Sequence, residues 1–302
     1  MKFISFISII CITFTFNLRA QDTIEDDLSD QIIDEYRYLE KLKYVLLPHK
    51  GTFILPFSYN NNPNGKIPEE SFPADLREKR GRFNDYLETE FQISFSILTN
   101  RNVFNTGFNT YFGYTHHSWW QIYNDDWSRP FRETNYEPEF YGRKVLNEKI
   151  DFLGGHLLAY DIGAVHQSNG EVQENSRSWN RIFTRVAFVH DNLLIVPTLW
   201  YRLPEGNEDD NPRMYRYRGY GNVVLKYRYE EHNTSLKVMP GTKFAGYELE
   251  YTFPFEEGIR YYIKAGYGYG LSLQDYDHEN RRIGIGFKLA DPFSYDPKDP
   301  KL

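Results

Sequence analysis

Apolar and polar side chains alternate along much of this chain, and that alternation restricts its fold more than any other feature. Between Leu87 and Leu98, one set of alternate positions is mostly Leu, Phe and Ile, and the other is mostly Glu, Gln and Ser. A period of two predicts a β-strand whose two faces meet different surroundings. The chain is therefore expected to be built from amphipathic strands.

The composition indicates what those surroundings are. Aromatic residues make up 18% of the chain, with 25 Tyr and 23 Phe, although charged residues reach 25%. A water-soluble core normally depends on Leu, Ile and Val, whereas aromatic girdles and a polar interior are typical of transmembrane β-barrels. After residue 20 no apolar run approaches the roughly 20 residues that a membrane-spanning helix needs.

Candidate strands follow one another from residue 52 to residue 290. They are 52–59, 87–98, 105–123, 131–143, 150–167, 178–190, 192–203, 214–230, 234–243, 244–254, 259–271 and 280–290. Bacterial membrane barrels have an even number of antiparallel strands, of about ten residues each. We therefore predict an all-β protein, an antiparallel transmembrane β-barrel of about twelve strands.

The first twenty residues read as a signal peptide. Lys2 precedes the apolar run Phe3–Phe16, and Ala20 offers a small residue for cleavage. Loss of this segment removes Lys2 and Arg19 and changes the formal net charge from −7 to −9. It also removes Cys11, the only cysteine, which excludes disulfides and thiol catalysis in the mature chain. A net acidic chain without a basic patch argues against nucleic acid as a partner.

The remaining chain divides into three parts. Residues 21–50 form an N-terminal periplasmic segment, acidic and peripheral over 21–35, with a short helix expected within 36–50. Residues 51–293 form the barrel domain. Residues 294–302 are a polar, Pro-rich tail.

Two neighbouring strands place polar residues on an otherwise apolar face. The even positions are His156, Leu158, Tyr160, Ile162, Ala164, His166 and Ser168, followed by Ser178, Asn180, Ile182, Thr184, Val186 and Phe188. The odd positions include Asp161, Arg181 and Arg185, which suit a hydrated interior. The even face is therefore expected to meet lipid, and His166, Ser168 and Asn180 with it.

These three residues have the spacing of a catalytic centre. In a hairpin centred on residue 173, His166 lies opposite Asn180, and Ser168 is two residues away on the same face. Nucleophile, base and orienting group in one row follow the logic of a serine hydrolase triad. The alternative is three ordinary polar residues near a strand end. Polar groups that face lipid are costly, which favours a function.

Two other groups of residues allow chemistry but have simpler interpretations. Arg132, Glu133 and Glu137 offer an acid pair for glycoside hydrolysis, but lumen-facing charges paired with Arg181 and Arg185 are preferred. The aromatic side chains of 119–123 offer a stacking platform for a sugar or a base, but an interfacial aromatic belt is preferred. They are Trp119, Trp120 and Tyr123.

Several motifs resemble outer membrane phospholipase A of Gram-negative bacteria. HQSNG (166–170) is followed by SRSWNR (176–181), with His166 and Asn180 fourteen positions apart. The stretches PFRETNYEPEF, GNEDDNP and RRIGIGFKL resemble the same family, and the likeness extends over about residues 36–293. The resemblance implies a calcium-dependent enzyme, active as a homodimer, that hydrolyses phospholipid esters with A1, A2 and lysophospholipase activity.

The resemblance also implies roles for individual residues. Ser168 attacks the ester carbonyl, His166 transfers the proton, and Asn180 orients His166. The Gly170 amide, with a calcium-held water, stabilises the oxyanion.

Further residues are implied as calcium ligands. The Ser176 hydroxyl and the backbone carbonyls of Glu171 and Ser128 correspond to ligands in the dimer, and the Asp210 carboxylate to one in the monomer.

The sequence departs from the family at three positions. Gln173, beside Glu174, replaces a common Asp, which puts the monomer's calcium site in question, and Glu171 replaces a frequent Arg. A polar residue that helps the family's dimer pack corresponds to His116. The resemblance thus predicts an outer-membrane phospholipase. The alternatives are a passive pore or structural barrel and, third, a soluble lipid-binding barrel.

Overall fold

A computed structural model describes residues 28–41, 46–64, 83–172, 175–206, 209–290 and 293. The expected signal peptide 1–20, the tail 294–302, Gln173 and Glu174 lie outside these residues. In the described part, no helix has the length and apolar character needed to cross a membrane.

The described residues contain thirteen strands. They are β1 (Leu47–Pro48), β2 (Phe53–Asn60), β3 (Leu87–Val103), β4 (Phe108–Trp120), β5 (Phe131–Phe152), β6 (Gly155–Ser168), β7 (Ser178–His190), β8 (Leu193–Arg202), β9 (Gly221–Tyr229), β10 (His232–Pro240), β11 (Ala245–Glu256), β12 (Ile259–Gly268) and β13 (Asn280–Leu289). Strands β2 to β13 pair antiparallel in chain order, and β13 pairs with β2 to close the sheet. The predicted twelve-stranded antiparallel barrel is confirmed, with β1 as a short extra strand against β3.

The two faces of the wall differ as the alternation predicts. Large apolar side chains point outward on strands around the barrel, and Ile162, Ile182 and Leu199 are 53%, 48% and 63% exposed. Charged side chains line the inside. An apolar exterior around a polar interior is the arrangement of a barrel that stands in lipid.

Ion pairs connect distant strands across the interior. Lys264 on β12 lies 2.7 Å from Glu90 on β3, and Asp161 on β6 accepts hydrogen bonds from Arg143 and Arg185. The prediction that the charges near residue 137 face the lumen and pair with Arg181 and Arg185 is confirmed in part. Glu137 lies 3.8 Å from Arg181, whereas Arg185 pairs with Glu139 and Asp161, and Arg132 with Glu88, Glu133 and Asp275.

The described part of the N-terminal segment, from residue 28, packs against the barrel wall, contrary to the expectation that 21–35 is peripheral. Helix α1 (Leu28–Lys41) begins before residue 36, and Leu28, Ile32 and Ile33 are buried. They share a hydrophobic cluster with side chains of the barrel wall, including Leu158, Val189 and Leu194. The exposed acidic residues Asp30 and Asp34 lie on the opposite helix face, while the apolar positions form one stripe.

Residue 158 departs from the prediction that the even positions of this strand face lipid. Leu158 is only 2% exposed and belongs to the internal cluster instead of the lipid-facing row. The β6–β7 register shifts between Leu157 and Ala159. An extra residue in one strand reverses the side-chain alternation on one side of it, so the even positions face outward only beyond this bulge.

The predicted strand 214–230 is shorter than expected. Tyr215–Arg218 forms a helical turn, α2, and β9 begins at Gly221. Gly219 ends α2 with φ +61°, and a Cβ there would collide with the Pro240 carbonyl oxygen. The aromatic belt prediction is also wrong for Trp119, which is 2% exposed and faces inward beside His117. Adjacent residues in a strand point to opposite faces, so Trp119 and Trp120 cannot share a belt.

Candidate functional site

The outward end of the β6–β7 hairpin holds the predicted histidine and asparagine together. His166 and Asn180 are register partners, as the hairpin centred on residue 173 predicts. The Nδ1 atom of His166 lies 2.9 Å from the Oδ1 atom of Asn180. Both side chains are half-buried. The register of the β-ladder therefore fixes the position of this pair, which does not depend on the conformation of a loop.

The pair stands on the outer surface of the barrel. Ile162 and Ile182, on the same faces of their strands, are exposed, whereas Trp179 and Arg181 point inward and are buried. The prediction that His166, Ser168 and Asn180 lie on the outer face is therefore confirmed at this end of both strands. This row is therefore accessible from beside the barrel and not from the barrel interior.

Ser168 ends β6 beside the pair. Its register partners are Tyr136 on β5 and Ser178 on β7. Among the described residues no hydrogen bond joins the Ser168 hydroxyl to His166, although both lie on one face two positions apart. Hydrogen bonds of catalytic groups often tighten only when substrate binds, so this spacing is compatible with a nucleophile and its base.

Gly170 follows in a conformation that favours glycine. Its φ is +69°, and a Cβ atom there would lie 2.9 Å from Cε2 of Tyr136. The residue is exposed, two positions beyond Ser168. Both the backbone conformation and the aromatic neighbour therefore require a residue without a side chain at this place.

The connection between β6 and β7 is organised by Asn169. Its backbone N–H donates to the Arg177 carbonyl at 3.0 Å, and its side-chain Nδ2 donates to the Asn175 carbonyl at 2.7 Å. Its Oδ1 accepts from the backbone N–H groups of Arg177 and Glu171. Asn169 is 3% exposed. The sequence reading gave this residue no role, although Asn is a frequent loop former through such bonds.

The predicted calcium ligands are brought together in part. The Ser176 hydroxyl donates to the Asp210 carboxylate at 2.6 Å, and Ser178 lies 3.5 Å from the same oxygen. Glu171 is exposed at the start of the loop. Ser128 lies in the turn after Asp125–Trp127 in a left-handed conformation, with φ 59°. Among the described residues, no contact joins Ser128 to the other three.

These four residues offer hydroxyl, carbonyl and carboxylate oxygens. Calcium prefers such hard oxygen ligands, and backbone carbonyls are frequent among them. No cluster of three or more acidic or histidine side chains suited to a metal occurs in the described residues. A calcium ion here would thus depend on backbone and hydroxyl oxygens more than on carboxylates.

The structure adds a carboxylate that the sequence reading missed. The Nδ2 group of Asn180 donates to Oε1 of Glu205 at 2.9 Å, and Arg202 donates to Oε2 of Glu205 at 3.3 Å. A backbone bond of 2.8 Å from Leu203 N–H to the Asn180 carbonyl holds the two segments together. Glu205 stands in the loop after β8, where no periodicity indicates which strand it will meet.

Comparison with known proteins gives one family. The family model described as Phospholipase A1 matches residues 29–289. Phospholipase A1 of Proteus vulgaris is 34% identical over 256 residues, covering 83% of this chain and 83% of that protein. Phospholipase A1 of Escherichia coli K12 is 37% identical over 210 residues, covering 68% of this chain and 71% of that protein.

A relative from Neisseria meningitidis serogroup B is 36% identical over 249 residues, covering 80% of this chain. The chain spans 65% of that relative's length.

Solved structures agree with these sequence matches. Outer membrane phospholipase A from E. coli superposes with a TM-score of 0.74 at 31% identity, covering 82% of this chain and 99% of that one. The Salmonella typhi outer membrane phospholipase dimer with bound calcium gives a TM-score of 0.75 at 28% identity, covering 89% and 100%.

Proposed function

Because the chain belongs to the phospholipase A1 family, we propose that it hydrolyses acyl ester bonds of glycerophospholipids in the bacterial outer membrane. The observation that carries this proposal is the hydrogen-bonded His166–Asn180 pair with Ser168 beside it on the lipid-facing side of the wall. A nucleophile, a base and an orienting amide placed there meet the ester region of a neighbouring lipid.

Ser168, His166 and Asn180 act as a triad in this proposal. The Ser168 hydroxyl attacks the carbonyl carbon while His166 Nε2 takes its proton, which then goes to the leaving alcohol oxygen. Water attacks the acyl-enzyme by the same route, releasing the fatty acid and restoring Ser168. Asn180 holds the ring through Nδ1. Both acyl positions of a diacyl lipid, and the one acyl chain of a lysolipid, are substrates in this proposal.

The Gly170 amide provides the oxyanion contact. The left-handed backbone at Gly170 and its place two residues beyond Ser168 support this role. Fixed N–H donors that point at developing negative charge are usually a large contribution to catalysis.

Calcium is the proposed cofactor. Ser176, Glu171 and Ser128 of two protomers would hold it in the dimer, with Asp210 as a ligand in the monomer. The close approach of the Ser176 hydroxyl and the Asp210 carboxylate fits a cation that takes oxygen ligands. When bound, the ion supplies positive charge beside the developing oxyanion.

A homodimer is the proposed active form. Within one protomer, no contact among the described residues joins Ser128 to the other calcium donors, which supports a second copy as the source of that carbonyl. His116 lies on the same outer face, with Tyr136 of β5 between its strand and Ser168. A dimer through this face would place the two sites side by side within the membrane.

The outer surface and the interior of the barrel argue against the two alternative functions, a passive pore and a soluble lipid-binding barrel. A passive pore needs an open passage, whereas interior ion pairs link β12 to β3 and α1 packs inside the barrel. A soluble lipid carrier needs a polar exterior, whereas large apolar side chains cover the outside. Export through a cleaved leader, residues 1–20, remains part of the proposal.

The proposal is tested by fatty acid release from phospholipid in detergent micelles. Ser168→Ala should lower kcat by about 10⁴-fold or more, as expected for loss of a serine nucleophile. Thr184→Ala, which removes another outward hydroxyl on β7, should retain the activity of the parent. Undiminished release by the Ser168 variant would show that the triad assignment is wrong.

A further inference from the structure

We infer that Glu205 is a positioning residue of the triad. It decides which side of the Asn180 amide faces His166, and thereby which ring nitrogen of His166 carries the proton. This inference rests on the proposed function of the same site.

The first step follows from the chemistry of a carboxylate. A carboxylate can only accept hydrogen bonds, so the Asn180 atom 2.9 Å from Oε1 of Glu205 must be the NH₂ nitrogen. The amide is planar, and its carbonyl oxygen therefore points the other way, towards His166. The carboxylate thus removes the ambiguity that otherwise attends an asparagine side chain.

The second step fixes the imidazole. The Oδ1 atom of Asn180 can only accept, so His166 Nδ1 must carry the proton and donate it across 2.9 Å. In that tautomer Nε2 has a free lone pair and can take the proton of Ser168. A reversed amide would present NH₂ to the ring and favour the tautomer that is protonated at Nε2. That tautomer is not a base towards Ser168.

The third step concerns Glu205 itself, which is held from both sides. Arg202 donates to its other oxygen at 3.3 Å, and the same guanidinium also donates to Asp209 and to the Asn211 carbonyl. The backbone bond between Leu203 and Asn180 keeps the loop against β7. Both carboxylate oxygens therefore have separate donors, one from Arg202 and one from Asn180.

Because the two oxygens of Glu205 have different donors, Glu205→Gln is the most informative variant. It preserves the size of the side chain and replaces one acceptor oxygen with an NH₂ group. Glutamine has one oxygen and one NH₂ group, and the Arg202 guanidinium can only donate. Arg202 therefore takes the oxygen, and the NH₂ group of Gln turns to Asn180. Two NH₂ groups cannot face each other, so the Asn180 amide reverses. We expect kcat to fall by about tenfold to a thousandfold, below the roughly 10⁴-fold cost of a wrong tautomer in a serine protease.

A compensating change follows from the same reasoning. Asn180→Asp in the Glu205→Gln background gives a carboxylate that accepts from both the Gln NH₂ group and His166 Nδ1. The double variant should regain at least about tenfold in kcat over Glu205→Gln. Asn180→Asp alone places two carboxylates together and should lower kcat.

The experiment uses the full chain in detergent, with ¹⁵N-labelled histidine and NMR assignment of His166 through a His166→Gln variant. The parent should show His166 protonated at Nδ1, and Glu205→Gln should show protonation at Nε2. Glu279→Gln, which removes a loop carboxylate that pairs with Arg281, is the matched control and should change neither the tautomer nor kcat. KM should change little in either variant, because neither side chain is proposed to hold the lipid.

The outcomes separate this inference from the proposed function. An unchanged tautomer in a folded Glu205→Gln variant overturns the role of Glu205, whatever the activity. Equal activity of the parent and Ser168→Ala overturns the proposed function, while the NMR result still decides the role of Glu205. If Glu205→Gln lowers kcat but the double variant shows no recovery, the amide reversal is wrong.

Discussion

His166 has a neutral partner, and this distinguishes its surroundings from those of a histidine held by a carboxylate. Asn180 can orient the ring through Oδ1 but brings no negative charge to an imidazolium. The charge of Glu205 lies one hydrogen bond further away, beyond the amide. Orientation and charge are therefore supplied by two different residues, from β7 and from the loop after β8.

Gly170 gives a test of the proposed oxyanion contact at the scale of one residue. Gly170→Ala should lower kcat by about tenfold to a hundredfold, because the new Cβ meets Tyr136 and the left-handed backbone is strained, so the amide shifts. Gly258→Ala is the matched control, with φ +73° and no atom within 4 Å of its Cβ. Equal kcat values for the two variants would argue against a role for the Gly170 amide.

The contacts of the site differ in how far the sequence predicts them. The His166–Asn180 contact follows from strand register, which alternation and a hairpin centre are enough to predict. Glu205 contacts Asn180 only because the loop after β8 folds back over β7, and loop paths have no periodic signal. Asn169 shows the same limit, since its four bonds all depend on how 169–177 closes.

At the scale of elements, the twelve strands could be predicted, and the departures from regular alternation could not. The bulge near Leu158 and the helical turn Tyr215–Arg218 each change the pattern within a stretch that still looks strand-like in sequence. Helix α1 begins earlier than the sequence predicts, because its apolar stripe covers only a few positions among acidic residues. Its burial depends on the barrel around it, which a local pattern does not report.

Helix α1 should respond to truncation of its buried face. Ile33→Ala removes a side chain packed within the internal cluster and should weaken docking of α1 by about 2–5 kcal/mol. Trypsin cleavage at Arg37 should then accelerate by at least about tenfold, since each 1.4 kcal/mol is a factor of ten. Tyr38→Ala, at a position 53% exposed, is the control and should leave the cleavage rate near that of the parent. Identical rates for both variants would mean that α1 is not held by this cluster.

At the scale of the whole molecule, the absence of a contact between Ser128 and Ser176 among the described residues leads to a prediction about assembly. Calcium should shift the detergent-solubilised protein from monomer to dimer, because the proposed site takes its donors from two copies. Ser176→Ala should raise the calcium concentration needed for half-maximal dimerisation by about tenfold, through loss of one ligand. Sedimentation measures the dimer and fatty acid release measures the activity in the same titration.

The control for that titration lies away from the proposed calcium donors. Asp191→Asn changes an exposed carboxylate in the turn between β7 and β8 and should leave the calcium dependence as in the parent. Full activity of a strictly monomeric preparation would contradict the dimer proposal. Dimerisation that is indifferent to calcium would contradict the shared site.

The outward direction of the His166 row has a kinetic consequence. A site that opens sideways encounters lipid by diffusion within a surface, so its supply depends on the mole fraction of phospholipid in that surface and not on the bulk concentration. Added detergent would slow such an enzyme by lowering the mole fraction of phospholipid around it, even when the total amount of phospholipid is unchanged. A cell membrane, by contrast, surrounds the site with lipid at all times. If the site is completed by calcium and a second protomer, as proposed, the rate there depends on the fraction of the protein that is dimeric with calcium bound.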